Sequence, residues 1–256
     1  MIPNMKTETP SDRPQTLNDP GLSTNPRAME SAQRLKPLLN KPAGSLVVNE
    51  IYRSLQGEST FAGLPCVFVR LTACHLRCVY CDTPYAFKQG ETLSLDEVLA
   101  RTLAHADQLV EVTGGEPLLQ PEVYPLMSRL ADAGRTVLLE TSGAVGTERV
   151  DPRVHIILDL KTPGSGEVAA NVWSNLDRLS PNDQVKFVIC DRDDFLWACD
   201  QVRGHSLTDR CPVLFSPSFG RVKPTDLAAW VIDSGLAVRL QIQLHKILWD
   251  PKARGV

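Results

Sequence analysis

No stretch of the 256-residue chain approaches the ~20 consecutive apolar residues of a membrane span. The first residues carry no apolar segment of the kind that directs secretion. Neither charge is in large excess. The formal net charge of -3 gives no reason to expect a nucleic acid or a membrane surface as partner. No internal repeat is visible. Seven cysteines, an odd number, without a secretion signal argue against a disulfide framework. These absences point to a cytoplasmic protein with reduced thiols. What remains is enough for a real core, with 43% hydrophobic residues in a length that suits one domain plus an extension.

Aromatic residues are missing altogether from residues 1–45, which hold seven of the nineteen prolines. Such a segment cannot bury enough apolar surface to offset its ordering entropy. We expect a disordered extension over 1–45, most firmly over 1–27. A short helix is expected over Met29 to Leu39, broken at Pro37. Met29 is also a possible alternative start. The catalytic domain is expected over residues 46–256.

The most telling run in that domain is Cys74-His75-Leu76-Arg77-Cys78-Val79-Tyr80-Cys81. Its C-x3-C-x2-C spacing puts three thiols on one short loop. Three thiolates can hold three corners of a cubane iron–sulfur cluster. The fourth iron is then free to bind a small molecule, whereas electron-transfer sites usually take four cysteines. Structural zinc would want four ligands. His75 adjoins Cys74 too closely for both to reach one metal easily. The other cysteines, Cys66, Cys190, Cys199 and Cys211, read as small buried hydrophobes.

Apolar runs alternate with amphipathic ones. Strands are expected at Leu46–Tyr52, Cys66–Leu71, Leu109–Val112, Thr136–Glu140, His155–Asp159, Gln184–Ile189, Val213–Phe215 and Ala237–Leu240. Several are continuous runs, as in buried parallel sheets. Ser94-Leu95-Asp96-Glu97 is a capping-box pattern for a helix to Ala104. Pro121 suits the first turn of a helix to Ala133, with Gly134 as its C-cap. Asp191 should cap a helix to Val202, and Pro224 should open one stopped by Gly235. This alternation implies an α/β fold with a parallel sheet. About six such strands are too few for the eight-stranded barrel, so a partial, open TIM-like barrel is expected.

Ligands of such sheets sit at the C-terminal strand ends. The cysteine loop follows one strand. Thr113-Gly114-Gly115-Glu116-Pro117 follows the next, Thr141-Ser142-Gly143 a third, and Lys161 a fourth. The cysteine loop and Gly114-Gly115-Glu116-Pro117 together resemble the radical S-adenosylmethionine (SAM) enzymes. That resemblance implies a [4Fe-4S] cluster on Cys74, Cys78 and Cys81, whose open iron chelates SAM. Gly114, Gly115 and Glu116 would bind the methionine ammonium. The glycines would let backbone carbonyls approach it. Tyr80 would face the adenine, and Cys81 and Asp82 would also bind SAM. Ser142 and Lys161 would take SAM's carboxylate or ribose.

The order LQGE, FVRL, CDT, TGGEP, ETSG and QLHK narrows this further and resembles the 7-carboxy-7-deazaguanine synthases over nearly all of residues 46–256. The substrate then implied is 6-carboxy-5,6,7,8-tetrahydropterin, contracted by radical chemistry toward queuosine in tRNA and other deazapurines. Leu55, Gln56, Gly57 and Glu58 would pair the pterin edge. Arg70 would take the carboxylate in a fork, or else form a structural ion pair. Thr113 would lie between the two ligands. Thr83 would bind Mg2+, a hard ion that suits oxygen ligands. His245 and the carboxylate of Val256 are expected to close the pocket. The resemblance also implies an electron donor such as flavodoxin or ferredoxin, and a homodimer. Two other readings stay open here. A glycyl-radical activase would act on a protein loop. A redox or iron sensor would use the cluster without catalysis.

Overall fold

The computed structural model describes residues 33–256, and among these nine strands form one sheet. They are β1 (Ser45–Leu55), β2 (Pro65–Leu71), β3 (Glu91–Ser94), β4 (Leu109–Gly114), β5 (Thr136–Thr141), β6 (His155–Asp159), β7 (Gln184–Ile189), β8 (Val213–Pro217) and β9 (Arg239–Leu240). Their order is β3-β1-β2-β4-β5-β6-β7-β8-β9. β1 runs antiparallel to both its neighbours. From β2 to β9 every pairing is parallel. The two ends of the sheet, β3 and β9, do not pair with each other, so the barrel stays open. Seven strands are parallel, one more than the sequence reading allows. That reading also misses β3, a four-residue strand with one buried side chain, Leu93, and too little alternation to announce itself.

Five α-helices are described, α1 (Leu95–Leu103), α2 (Val123–Asp132), α3 (Arg192–Gly204), α4 (Pro224–Ser234) and α5 (His245–Leu248). The capping box forms at α1. The Ser94 hydroxyl accepts from the Glu97 N–H at 3.2 Å, and Glu97 accepts from the Ser94 N–H at 2.8 Å. Asp191 caps α3 by accepting from the Asp194 N–H at 2.9 Å. Gly134 and Gly235 follow α2 and α4 with φ of 79° and 64°, where a side chain would be strained. Pro121 does not open α2, which begins two residues later. The fully buried Gln120 holds the preceding turn, bonding the Val47 N–H and the carbonyls of Val47 and Thr72. Among the described residues no helix is long and apolar enough to cross a membrane.

The disorder expected over 1–27 lies outside the described residues, as does much of the helix expected over Met29–Leu39. From residue 33 onward the segment before β1 touches the domain. Arg34 donates to the His75 carbonyl at 2.7 Å, and Lys41 pairs with Glu122.

The parallel strands alternate strictly between two faces. Val67, Val69 and Leu71 of β2, Val110 and Val112 of β4, and Val137 and Leu139 of β5 join a core that includes residues of α1, α2 and α3. So do Leu158 of β6 and Val185, Phe187 and Ile189 of β7. The opposite face carries a smaller cluster, Cys66, Phe68, Leu109, Leu138 and Ile157, near the strand starts. Further along the same strands that inner face changes character. It presents Arg70, Glu111, Thr113, Glu140, Asp159 and Lys186. The apolar cluster thus closes the bottom of the barrel and the polar residues floor the space above it.

Candidate active site

Above that floor lies a cavity of about 860 Å³, at the C-terminal ends of the parallel strands. It brings together every residue singled out from the sequence except Glu116. Cys74, Cys78 and Cys81 line it with Thr83, Gly115, Ser142, Lys161, Gln56, Arg70 and His245. Val256 lines it as well.

The cysteine loop leaves β2 through Ala73, whose φ of 80° is unusual for a residue with a side chain. Its neighbours hold it there. Its N–H donates to the Ala86 carbonyl, and its carbonyl accepts from Glu116, both at 2.9 Å. Within the loop, the Val79 N–H donates to the Ser165 carbonyl at 3.1 Å, and the Arg77 N–H to Glu167 at 2.5 Å. The Arg77 guanidinium donates to the Cys74 carbonyl at 2.8 Å and lies 4.0 Å from the Phe87 ring centre. All three loop thiols are free. Burial pushes Cys74 up to about 12 and Cys78 up to about 11. Such thiols become good ligands when a metal displaces their protons. Among the described residues no three His, Cys, Asp or Glu side chains are grouped to hold one metal ion. A cubane asks instead for three separate corners. His75 lies outside the cavity lining, and burial lowers its pKa and favours the neutral ring. Cys66, Cys190, Cys199 and Cys211 are buried and unpaired, as small hydrophobes.

The glycines after β4 serve close packing. A Cβ at Gly115 would run into the Ala73 carbonyl and stand 2.7 Å from the Cys74 Cβ. A Cβ at Gly114 would strike the backbone of Leu71. The sequence reading gives these residues a ligand to approach; the structure gives them the base of the cysteine loop. Glu116 differs more. Its side chain is fully buried and faces the next loop rather than the cavity. It accepts from Leu118 N–H at 3.0 Å, Thr141 Oγ1 at 2.9 Å, and the N–H and hydroxyl of Ser142 at 2.8 and 2.5 Å. It staples the β4 exit to the β5 exit. Three buried polar atoms of cavity-lining residues lack partners, the Tyr80 hydroxyl, Asp159 Oδ1 and the Ser218 hydroxyl, the first two of them beside Lys161. Lys161 pairs with Asp159 at 3.0 Å and stands 5.8 Å from the Tyr80 ring centre. Three thiols, two orphaned polar atoms and an ammonium on one wall fit a cluster with a polar ligand beside it.

On the opposite wall, Arg70 donates through Nε to Glu50 at 2.7 Å and through Nη2 to the Tyr52 hydroxyl at 2.9 Å. Among the described residues Nη1 makes no hydrogen bond, so the guanidinium is oriented by an ion pair and still has a donor group to offer. Gln56 is spent inside the protein. Its amide donates to Glu111, and its carbonyl accepts from the Glu58 N–H at 3.1 Å. Gly57 must lack a side chain because His245 Nδ1 occupies that space, and the Gly57 carbonyl accepts from Leu244 at 3.0 Å. Burial lowers the His245 pKa, overriding Glu58 and Asp82. The Thr83 hydroxyl lies 3.9 Å from Cys81 Sγ.

Glu111, Glu140, Asp159, Lys186 and Gln243 line this wall and floor and escape the sequence reading. Lys186 donates to Glu58 at 2.9 Å and to Glu140, with Asp159 at 3.6 Å. Burial disfavours its charge, but those carboxylates hold its pKa well above the ordinary lysine value. Burial would lift Glu58, yet Lys186 and Gln243 bring it below its usual range. Gln243 bridges Glu58 at 2.8 Å and Asp82 at 3.1 Å. The signal was present: a charge at an inward position of LVEVTG, TVLLET, HIILD and QVKFVI.

Known proteins resemble this chain in sequence or in fold. Residues 69–209 match the radical SAM superfamily. A 7-carboxy-7-deazaguanine synthase of Chlorobaculum tepidum is 46% identical over 215 residues, covering 82% of this chain and 97% of that protein. One of Koribacter versatilis is 47% identical over 224 residues, covering 82% and 99%. The crystal structure of QueE from Escherichia coli matches with a TM-score of 0.64 at 22% identity, covering 87% of this chain and all of that one. That last likeness is one of fold.

Proposed function

Since the chain belongs to the 7-carboxy-7-deazaguanine synthases, within the radical SAM superfamily, we propose that it contracts the ring of 6-carboxy-5,6,7,8-tetrahydropterin to give 7-carboxy-7-deazaguanine and ammonia. This is the chemistry of a carbon–nitrogen lyase, on the way to queuosine and other deazapurines. The observation that carries it is the convergence of the β1, β2, β4, β5 and β6 exits and the Gln243–Lys246 segment on one cavity.

Cys74, Cys78 and Cys81 hold a [4Fe-4S] cluster, and Tyr80, Asp82, Gly114, Gly115, Ser142 and Lys161 form the wall for SAM. When bound, cluster and SAM would supply the radical chemistry that removes hydrogen from the pterin. The protein's part is positioning and exclusion of water. Arg70, already oriented by Glu50 and Tyr52, offers its remaining donor group to the pterin carboxylate. Thr83 offers a hard oxygen to Mg2+ beside it. Glu116 acts through Ser142, holding the SAM wall against the cysteine loop. Thr113 and His245, the latter biased toward its neutral form, bound the substrate side. A flavodoxin or ferredoxin supplies the electron, and the chain works as a homodimer.

The test is an anaerobic reaction of the cluster-reconstituted protein with SAM, reductant, Mg2+ and the pterin, read by mass spectrometry. The expected product is lighter than the pterin by one ammonia, and is lost in Cys78→Ala. SAM cleavage with the pterin unchanged would keep the superfamily chemistry and overturn the substrate.

A further inference from the structure

One acid on the cavity floor has no cation bonded to it. Glu111 sits in the middle of β4, two residues before Thr113, so both side chains point inward. The residue is 4% exposed, and that little faces the cavity. Its one hydrogen bond comes from the Gln56 amide. Gln56 is fixed in turn, because its carbonyl receives the Glu58 N–H. One carboxyl oxygen of Glu111 is therefore anchored, and the other is left for whatever fills the cavity.

The groups around it explain why it stands apart. Tyr52 faces it from β1, Glu58 from the turn after β1, Cys66 from β2, Glu140 from β5 and Lys186 from β7. The nearest cation, Lys186, bonds Glu58 and Glu140 and approaches Asp159, not Glu111. Burial, with the Glu140 carboxylate beside it and Glu58 beyond, pushes Glu111 up to about 8. The ligand-free cavity thus favours its neutral form.

We propose that Glu111 is a specificity residue for the nitrogen edge of the substrate, its unengaged oxygen accepting from the adjacent N–H groups of a 2-amino-4-oxopyrimidine ring. This rests on the pterin reading given above. The ring amide and the exocyclic amine of such an edge point the same way, and a carboxylate accepts from them with charge assistance. Those donors favour the ionised form, so the ligand drives the proton off Glu111 into solvent as it binds. Replacing the amine by a carbonyl removes one donor and sets an acceptor against the carboxylate.

Isothermal titration calorimetry tests this on the cluster-reconstituted, SAM-loaded protein. The probe is 6-carboxy-tetrahydropterin near neutral pH, in two buffers of different ionisation enthalpy. The wild type should release close to one proton per pterin bound, as an acid of raised pKa must when its ligand prefers the anion. Glu111→Gln should lose that release and bind roughly ten- to a hundred-fold more weakly. The 2-oxo analogue closes a cycle between ligand and protein. It should bind the wild type at least about tenfold more weakly than the pterin, and Glu111→Gln by less than about threefold. The cycle compares ligands within each protein, so a general loosening of the variant does not imitate it. Equal pterin affinity and equal proton release in the two proteins would overturn the inference and leave the pterin reading standing. Equal penalties for the analogue in both proteins would also overturn it, because Glu111 would then act only through packing. A wild type that binds no pterin would bring down the substrate reading, and this inference with it.

Discussion

On β5, Val137 and Leu139 point to the helices and are buried in the large core, while Glu140 points the other way, to Lys186. β7 repeats the contrast, with Val185, Phe187 and Ile189 outward and Lys186 inward. The outward face gains stability from apolar area removed from water, which is non-directional and cumulative. The inward face has no such margin. Each ionisable group there has lost much of its hydration; Lys186 and Glu58 stay charged because named partners hold them, whereas Glu111, with no cation bonded to it, is pushed toward its neutral form. One face of the sheet is built to fold. The other is built at some cost to folding, and its interactions are specific enough to hold a ligand.

Lys186 is where this contrast is most easily broken. Lys186→Met would leave Glu58, Glu140 and Asp159 without their shared cation, although Asp159 keeps Lys161. Breaking one side of a buried ionic group costs about 3–5 kcal/mol. The cost should depend on pH. In the wild type Glu58 is held below its ordinary range, so its contribution is present at neutral pH and lost as pH falls through its folded pKa. Without Lys186, burial raises Glu58 instead and raises Glu140 further than it already does, and the folded variant takes up protons that the wild type does not. The stability gap should therefore be widest near pH 8 and narrow toward about pH 5. Urea denaturation across that range checks it; a constant gap would mean that lost packing, not lost charge, is the cost.

Leu139→Ala probes the outward face. Leu139 is fully buried between β5 and the helices. The variant should lose about 3 kcal/mol, set by the cavity it leaves. That loss should be the same near pH 5 and near pH 8, because no titratable partner is involved. If it followed pH as Lys186→Met does, the two faces would not be energetically separable.

This contrast also explains what the sequence disclosed and what it withheld. LVEVTG, TVLLET, HIILD and QVKFVI read as strands because their outward positions are apolar, and the strands are there. Their inward charges look like interruptions when a run is read for hydrophobicity alone. Only the alternation assigns Glu111, Glu140, Asp159 and Lys186 to one face. The loop motifs were legible for a different reason. Each is short, follows a strand, and so must emerge at the same rim. Motif identity does not show where a side chain points. Glu116 belongs to the Gly-Gly-Glu-Pro segment, yet its carboxylate binds Thr141 and Ser142, since four donors there satisfy it better than an open cavity. Gln243 lies in the QLHK string, where the motif alone marks only His245.

Gly115 joins the two regimes, since it lies at the rim where the outward packing ends. Gly115→Ala would push a methyl into the Ala73 carbonyl and the Cys74 side chain. The Ala73 backbone and the Cys74 Cβ leave little room to yield, so about 1–3 kcal/mol of stability should go. The sharper readout is iron per chain after reconstitution. It should fall well below the wild-type value, because Cys74 is displaced with Ala73. Full iron content at reduced stability would show that the cysteine loop tolerates the shift.

The smallest effect is expected where the outer layer alone is touched. Asp191 caps α3 from an exposed position, and α3 covers the outward face through Phe195, Ala198, Cys199 and Val202. Asp191→Ala should cost about 1 kcal/mol, the usual value of a lost N-cap. Asp194, whose N–H loses its acceptor, is itself held by Thr162, Gly164 and Cys190 at 2.8, 2.7 and 3.0 Å, so the start of the helix should stay in place. The thermal midpoint should drop by a few degrees, while the pterin affinity and its proton release stay at wild-type values. A matching loss of affinity would mean that the helix layer tunes the floor through β7, and that the two faces are coupled through the strand they share.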